Sequence, residues 1–303
     1  MTEPVKSFEL SPARRHLLFA ALGIASVALF LRPLRELAAM ALSADAYSYI
    51  LLIPAISAFM VYLEHRRIFA SADASRNSRL SAPLAGAAAV FLLISCLLTL
   101  GALNLPPEYA LTISILSILP VWAWSFALCY GVAALKSARF PFLLLLLMVP
   151  APSHAMDKVV TNLQWGSAEA TYLLFQLAGV PVFKTGVSFQ LPIVGIEVAK
   201  ECSSIHSACA LFITSLLVGH LFLKSLRAKV CLAVLAVPIA MLTNAVRITT
   251  LWTLATKVDM GFLYGDLHHK GGIVFSLVSL SLLMSCLWGL RKAEGRGGTA
   301  TAG

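Results

Sequence analysis

The sequence predicts an all-α polytopic membrane protein of about eight transmembrane helices, with a short outer-face β-hairpin and an interfacial helix. Three observations carry that expectation. Of the 303 residues, 59% are hydrophobic and only 12% are charged, and the mean hydropathy is +0.86; no water-facing domain surface sustains such a balance. The apolar residues gather in runs of membrane-crossing length. Lysine and arginine gather in short clusters between alternate runs, which is the pattern of cytoplasmic loops. The same clustering accounts for the net charge of +9. The partner implied is therefore the lipid bilayer, and nucleic acid is not expected.

Taken in order, the polar and basic segment to Arg15 leads into an apolar run from His16 to Leu31. No small-residue cleavage site precedes Arg32, so a retained first helix is expected rather than a signal peptide. Further runs cover Tyr47 to Leu63, Pro83 to Leu103, Ala110 to Ala134, Phe140 to Pro150, Cys202 to Leu223, Val230 to Leu254 and Gly271 to Leu290. The run from Phe140 is short for a complete span. Basic residues occupy every second connection: Arg14 and Arg15, then Arg66 to Arg79, Lys136 and Arg139, Lys224 to Lys229, and Arg291 to Arg296. The expected topology is a multi-pass membrane protein with both termini cytoplasmic, and with Asn104 to Tyr109 and Lys257 to Lys270 outside.

The segment 151–201 is the largest outer one. Asp157 to Leu177 mixes apolar with polar residues, including Asp157, Asn162, Gln164 and Glu169, and reads as a helix lying on or dipping into the outer interface. Thr185 to Val198 alternates through Val187, Phe189, Leu191 and Ile193 and reads as a short hairpin with its turn at Gly195. No internal repeat is present. The expected organisation is one integral membrane domain, 1–290, followed by a disordered glycine-rich cytoplasmic tail, 291–303.

Three sparse polar motifs fall on the expected outer face. In Glu197-Val-Ala-Lys-Glu-Cys-Ser-Ser-Ile-His-Ser207, Cys202 stands where an apolar run meets water, a border at which a thiol can ionise. Ser203 adjoins it, and His206 follows at i+4, in reach to tune the thiolate. In Thr243-Asn-Ala-Val-Arg-Ile248, Arg247 lies within a span, roughly 15 Å below its outer end at 1.5 Å per residue. Such an arginine faces a cavity or a partner. Asn244, at i−3, shares its face. In Asp266-Leu-His-His-Lys-Gly-Gly272, two histidines precede the last span. Spacing puts His268 on the side of Gly272, Phe275 and Ser276, and His269 on that of Ile273. Together these motifs supply a nucleophile, a clamp for a developing oxyanion and a proton carrier.

No cofactor and no metal site are expected. Neighbouring histidines point apart, and five of the six cysteines (Cys96, Cys129, Cys209, Cys231 and Cys286) lie inside apolar runs without CxxC spacing.

The order and spacing of Glu-Val-Ala-Lys-Glu-Cys-Ser-Ser, Asn-Ala-Val-Arg-Ile and His-His-Lys-Gly-Gly-Ile-Val-Phe resemble the exosortase and archaeosortase family over roughly Tyr47 to Leu290. That resemblance implies a membrane-embedded cysteine transpeptidase that cuts C-terminal sorting signals of the PEP-CTERM type. The implied partner is the C-terminal signal helix of an exported, membrane-anchored protein. The implied roles are nucleophile for Cys202, oxyanion stabiliser or substrate clamp for Arg247, and general acid or base for His268. Many members carry Cys-Ser-Gly-Ile-Arg where this chain has Cys-Ser-Ser-Ile-His, with Ser204 and His206 at the changed positions. The competing reading is a non-enzymatic transporter or assembly factor for exopolysaccharide export, with Arg247 lining a pathway. No repeat symmetry favours it.

Overall fold

Prolines, glycines and polar breaks cut the apolar runs into helices, which the computed structural model describes over residues 11–70, 81–198, 205–261 and 272–297. Two units result, Met1–Ser153 and His154–Gly303.

In the first unit, α1 (Pro12–Leu29) and α2 (Leu31–Ser43) meet at a bend of 73°. Phe30, only 1% exposed, is buried at that junction. A 3₁₀ turn, Asp45–Leu52, feeds α3 (Ile53–Leu63), and α4 (His65–Ala70) follows. After α5 (Ser81–Thr99), α6 (Pro107–Tyr130) starts on a proline, whose missing N–H costs nothing at a helix start. It stops at Gly131, whose φ of 88° suits glycine alone. Next come α7 (Val132–Ser137), α8 (Arg139–Leu144) and a 3₁₀ turn, Leu145–Met148. An aromatic cluster around buried Phe126 and Tyr130 gathers Phe19, Phe69 and Phe142, and His16 hydrogen-bonds the Tyr130 hydroxyl at 2.8 Å.

In the second unit, α9 (Ser153–Leu177) buries one stripe through Met156, Val160, Leu163, Gln164, Ser167, Ala168, Thr171 and Phe175. Those steps of three and four residues mark an amphipathic helix. It begins at Ser153, four residues before the expected start. Then β1 (Phe183–Thr185), β2 (Ser188–Gln190) and β3 (Ile196–Glu197) form an antiparallel sheet in that order. Thr185 pairs with Ser188, so the tight turn falls at Gly186, where φ is 63°. Gly195, the expected turn, lies instead in the second connection, where an added Cβ would stand 3.1 Å from the Phe189 carbonyl. Phe189 is buried at 1% exposed with Ala168 and Val198, whereas Ile193 is 62% exposed. The helices α10 (Ile205–Phe222), α11 (Leu226–Lys257) and α12 (Gly272–Gly297) complete the unit.

Among the described residues, five helices are long and apolar enough to cross a bilayer, or seven if each bent pair is one span. That is fewer than the eight runs counted in the sequence. The apolar part of α5, Ala82–Leu98, covers roughly 25 Å at 1.5 Å per residue, short of a bilayer core. Residues 139–148 reach span length only together with α9, across a break.

The last helix also outruns its expected end at Leu290. Residues 291–297, expected as disordered tail, continue α12. Glu294 accepts hydrogen bonds from the backbone N–H of Lys224 (3.0 Å) and Ser225 (2.8 Å) in the α10–α11 turn. Ser225 in turn caps α11 by accepting from the Ala228 N–H. These contacts give the extra helical turns a partner.

Candidate active site

Helix α11 carries Ala240, Thr243, Asn244 and Arg247 at steps of three and four residues, so they share one face. That face, with Ser207 near the start of α10 and with Phe275, Ser276 and Ser279 from α12, lines a narrow crevice. Thr243 and Asn244 are buried, at 4% and 3% exposed, and Arg247 is half-buried. An arginine in an apolar helix needs such a polar recess.

Below Arg247 the polar lining is internally satisfied. Ser279 Oγ lies 2.8 Å from Thr243 Oγ1, and Thr243 Oγ1 lies 2.8 Å from the Ile239 carbonyl. Ser279 Oγ also lies 3.0 Å from the Phe275 carbonyl, so the two hydroxyls have a carbonyl acceptor at either end. This ties α12 to α11 where the crevice closes.

The strand approaching the cysteine motif is anchored separately. The Gln164 amide donates to the Val198 carbonyl, and both residues are buried. The Val198 N–H donates to the Val187 carbonyl (3.0 Å), and the Trp252 indole N–H to the Val194 carbonyl (3.2 Å). Phe175 packs edge-on against Trp252 with ring centroids 5.2 Å apart. Ile248, beside Arg247 in sequence, packs on the cluster of Ala168, Phe189 and Val198. One apolar core thus supports both the arginine helix and the strand leading towards Cys202. On the same sheet, the Lys184 ammonium pairs with Glu169 and lies over the rings of Trp165 and Tyr172.

Of the site residues expected from sequence, Arg247 and Asn244 share the crevice. His206 is exposed, and the crevice wall is formed instead by the next residue, Ser207. Cys202, Ser203, His268 and His269 lie outside the described residues. The description resumes three residues after Cys202, at Ile205, and four after His268, at Gly272. At the start of α12, Phe275 and Ser276 line the crevice while Ile273 is 71% exposed. Among the described residues, no three His, Cys, Asp or Glu side chains gather as a metal-ligand set.

Sequence reasoning missed Gln164 as an anchor and the Ser279–Thr243 pair. A glutamine on the apolar stripe of α9 was the available signal for the first. For the second there was none, because serine and threonine are ordinary in membrane helices and their pairing depends on which helices meet.

The chain matches the family model of the transmembrane exosortases (Exosortase_EpsH) over residues 41–285, and it belongs to that family. No curated protein and no solved structure matches it.

Proposed function

We propose that the protein is a membrane-embedded cysteine transpeptidase acting on C-terminal sorting signals of exported, membrane-anchored proteins. One observation carries the reading beyond family membership. Arg247 and Asn244 line a crevice whose other walls are the helices that directly follow the cysteine and histidine motifs.

In the proposed reaction the Cys202 thiolate attacks the scissile carbonyl carbon, and the carbonyl oxygen takes up the negative charge. The Arg247 guanidinium stabilises that oxyanion with charge-assisted N–H donors. The C–N bond then breaks, the leaving amine takes a proton from His268, and the substrate remains as a Cys202 thioester. An acceptor amine or water, deprotonated by His268, attacks the thioester and expels the thiolate. Asn244 and the hydroxyl chain beneath it keep the guanidinium aimed. Ser203 and His206 flank the thiol in sequence and support its ionisation. The alternating basic clusters support a site on the outer face of the inner membrane, with both termini cytoplasmic.

The test is mass spectrometry of the C-terminus of a co-expressed protein that carries a signal motif, a membrane helix and a basic tail. Wild type should remove the signal helix. Cys202→Ser should leave the substrate uncut at normal expression, because a serine hydroxyl is far less ionised than a thiol. Cys209→Ser, about one turn into α10, should process normally. Full processing by Cys202→Ser would rule out the thioester.

A further inference from the structure

The first unit contains a groove of about 380 Å³ that lies well apart in sequence from the motifs discussed above. Phe19, Gly23 and Val27 of α1 form one wall, at steps of four residues. Pro54, Ala58 and Val61 of α3 form a second, Trp122 and Phe126 of α6 a third, and Phe142 and Leu145 the floor. Three polar side chains, Ser57, Trp122 and Ser125, reach its lining, and the first two are committed to protein partners. The Ser57 hydroxyl donates to the Pro141 carbonyl (2.8 Å) and the Trp122 indole N–H to Ser26 Oγ (2.8 Å). The lining therefore suits hydrocarbon.

At one end every wall runs into polar or cationic residues. Arg15 is one turn before Phe19 on the same face of α1, and Arg139 is three residues before Phe142. The Tyr130–His16 hydrogen bond closes this end of α6 against α1. Arg67 donates to the Ser137 carbonyl (3.2 Å), bringing α4 to the same place. Among the described residues, Arg14, Arg66 and Lys136 bring the cations at these helix ends to six, against one carboxylate, Glu64, which pairs with Arg67 at 3.3 Å. A hydrocarbon slot that opens at a basic rim matches an acyl chain joined to a phosphate.

We propose that this groove seats an acyl chain of one anionic phospholipid, with its phosphate against the rim formed by Arg15 and Arg139. Full-length protein in mixed micelles tests it through the fluorescence of Trp122, isolated by subtracting a Trp122→Phe protein. Phosphatidylglycerol with brominated chains should quench Trp122 at an at least about fivefold lower mole fraction than brominated phosphatidylcholine. The double change Arg15→Gln with Arg139→Gln should bring the two lipids together. Gly23→Leu, at a position where an added Cβ meets nothing within 4 Å, should fill the slot and protect Trp122 from both. Equal quenching of wild type by the two lipids overturns the proposal, and that comparison requires no variant to fold. Undiminished quenching in Gly23→Leu overturns it as well.

Discussion

The side-chain amide of Gln164 donates to the backbone carbonyl of Val198, thirty-four residues away, and both residues are buried. Helix α9 therefore holds the strand that carries the chain towards Cys202. Gln164→Leu keeps the volume and the apolar environment but leaves the Val198 carbonyl buried without its donor, at a cost of about 1–3 kcal/mol. The melting temperature should fall, and alkylation of Cys202 should change rate while that of Cys209 does not. An unchanged melting temperature would show that the bond contributes nothing net.

Arg247 shares its crevice with Asn244 above the Ser279–Thr243 pair. A planar guanidinium can bind the oxyanion and a second acceptor together, whereas a lysine ammonium acts as a single point charge. Arg247→Lys should lose at least about tenfold in processing rate, given the 10² to 10³ that one oxyanion donor supplies. Near wild-type turnover would recast Arg247 as an anchor for the helix.

The two histidines before α12 separate by spacing. Helical spacing counted back from α12 predicts that His268, four residues before Gly272, falls on the side of Phe275 and Ser276, which line the crevice, and that His269, four before Ile273, falls on the side of that residue, which is 71% exposed. His268→Ala should abolish processing, as expected for a general acid or base worth 10² to 10⁴, and His269→Ala should leave at least about half. The reverse result would shift the register by one residue, and equal loss from both would point to a shared metal.

The proposed outer-face position of the site rests on the basic clusters. A membrane-impermeant thiol reagent applied to intact spheroplasts should label Cys202 and spare Cys96 and Cys231, whose exposed side chains lie on apolar helices. Labelling of Cys202 only after permeabilisation would overturn the topology and the outer-face site together.

Membrane residence and helical class were legible in the chain itself, because each is a matter of local composition. Apolar runs identify helices that lipid can solvate, clustered arginines mark alternate loops, and an Asn244-to-Arg247 step puts both residues on one face without any tertiary information. Contacts between distant segments were not legible. The bend between α1 and α2 sits at buried Phe30, the hairpin turn falls at Gly186 rather than Gly195, and α12 runs on to Gly297 where Glu294 meets the α10–α11 turn. Nothing in the local sequence distinguishes Ser279 from other polar residues of membrane helices, and the place of Gln164 on an apolar stripe does not name its partner. Their importance arises from hydrogen bonds to Val198 and Thr243 in shielded surroundings, where an unpaired polar group is costly, and only the packed chain decides which groups meet there.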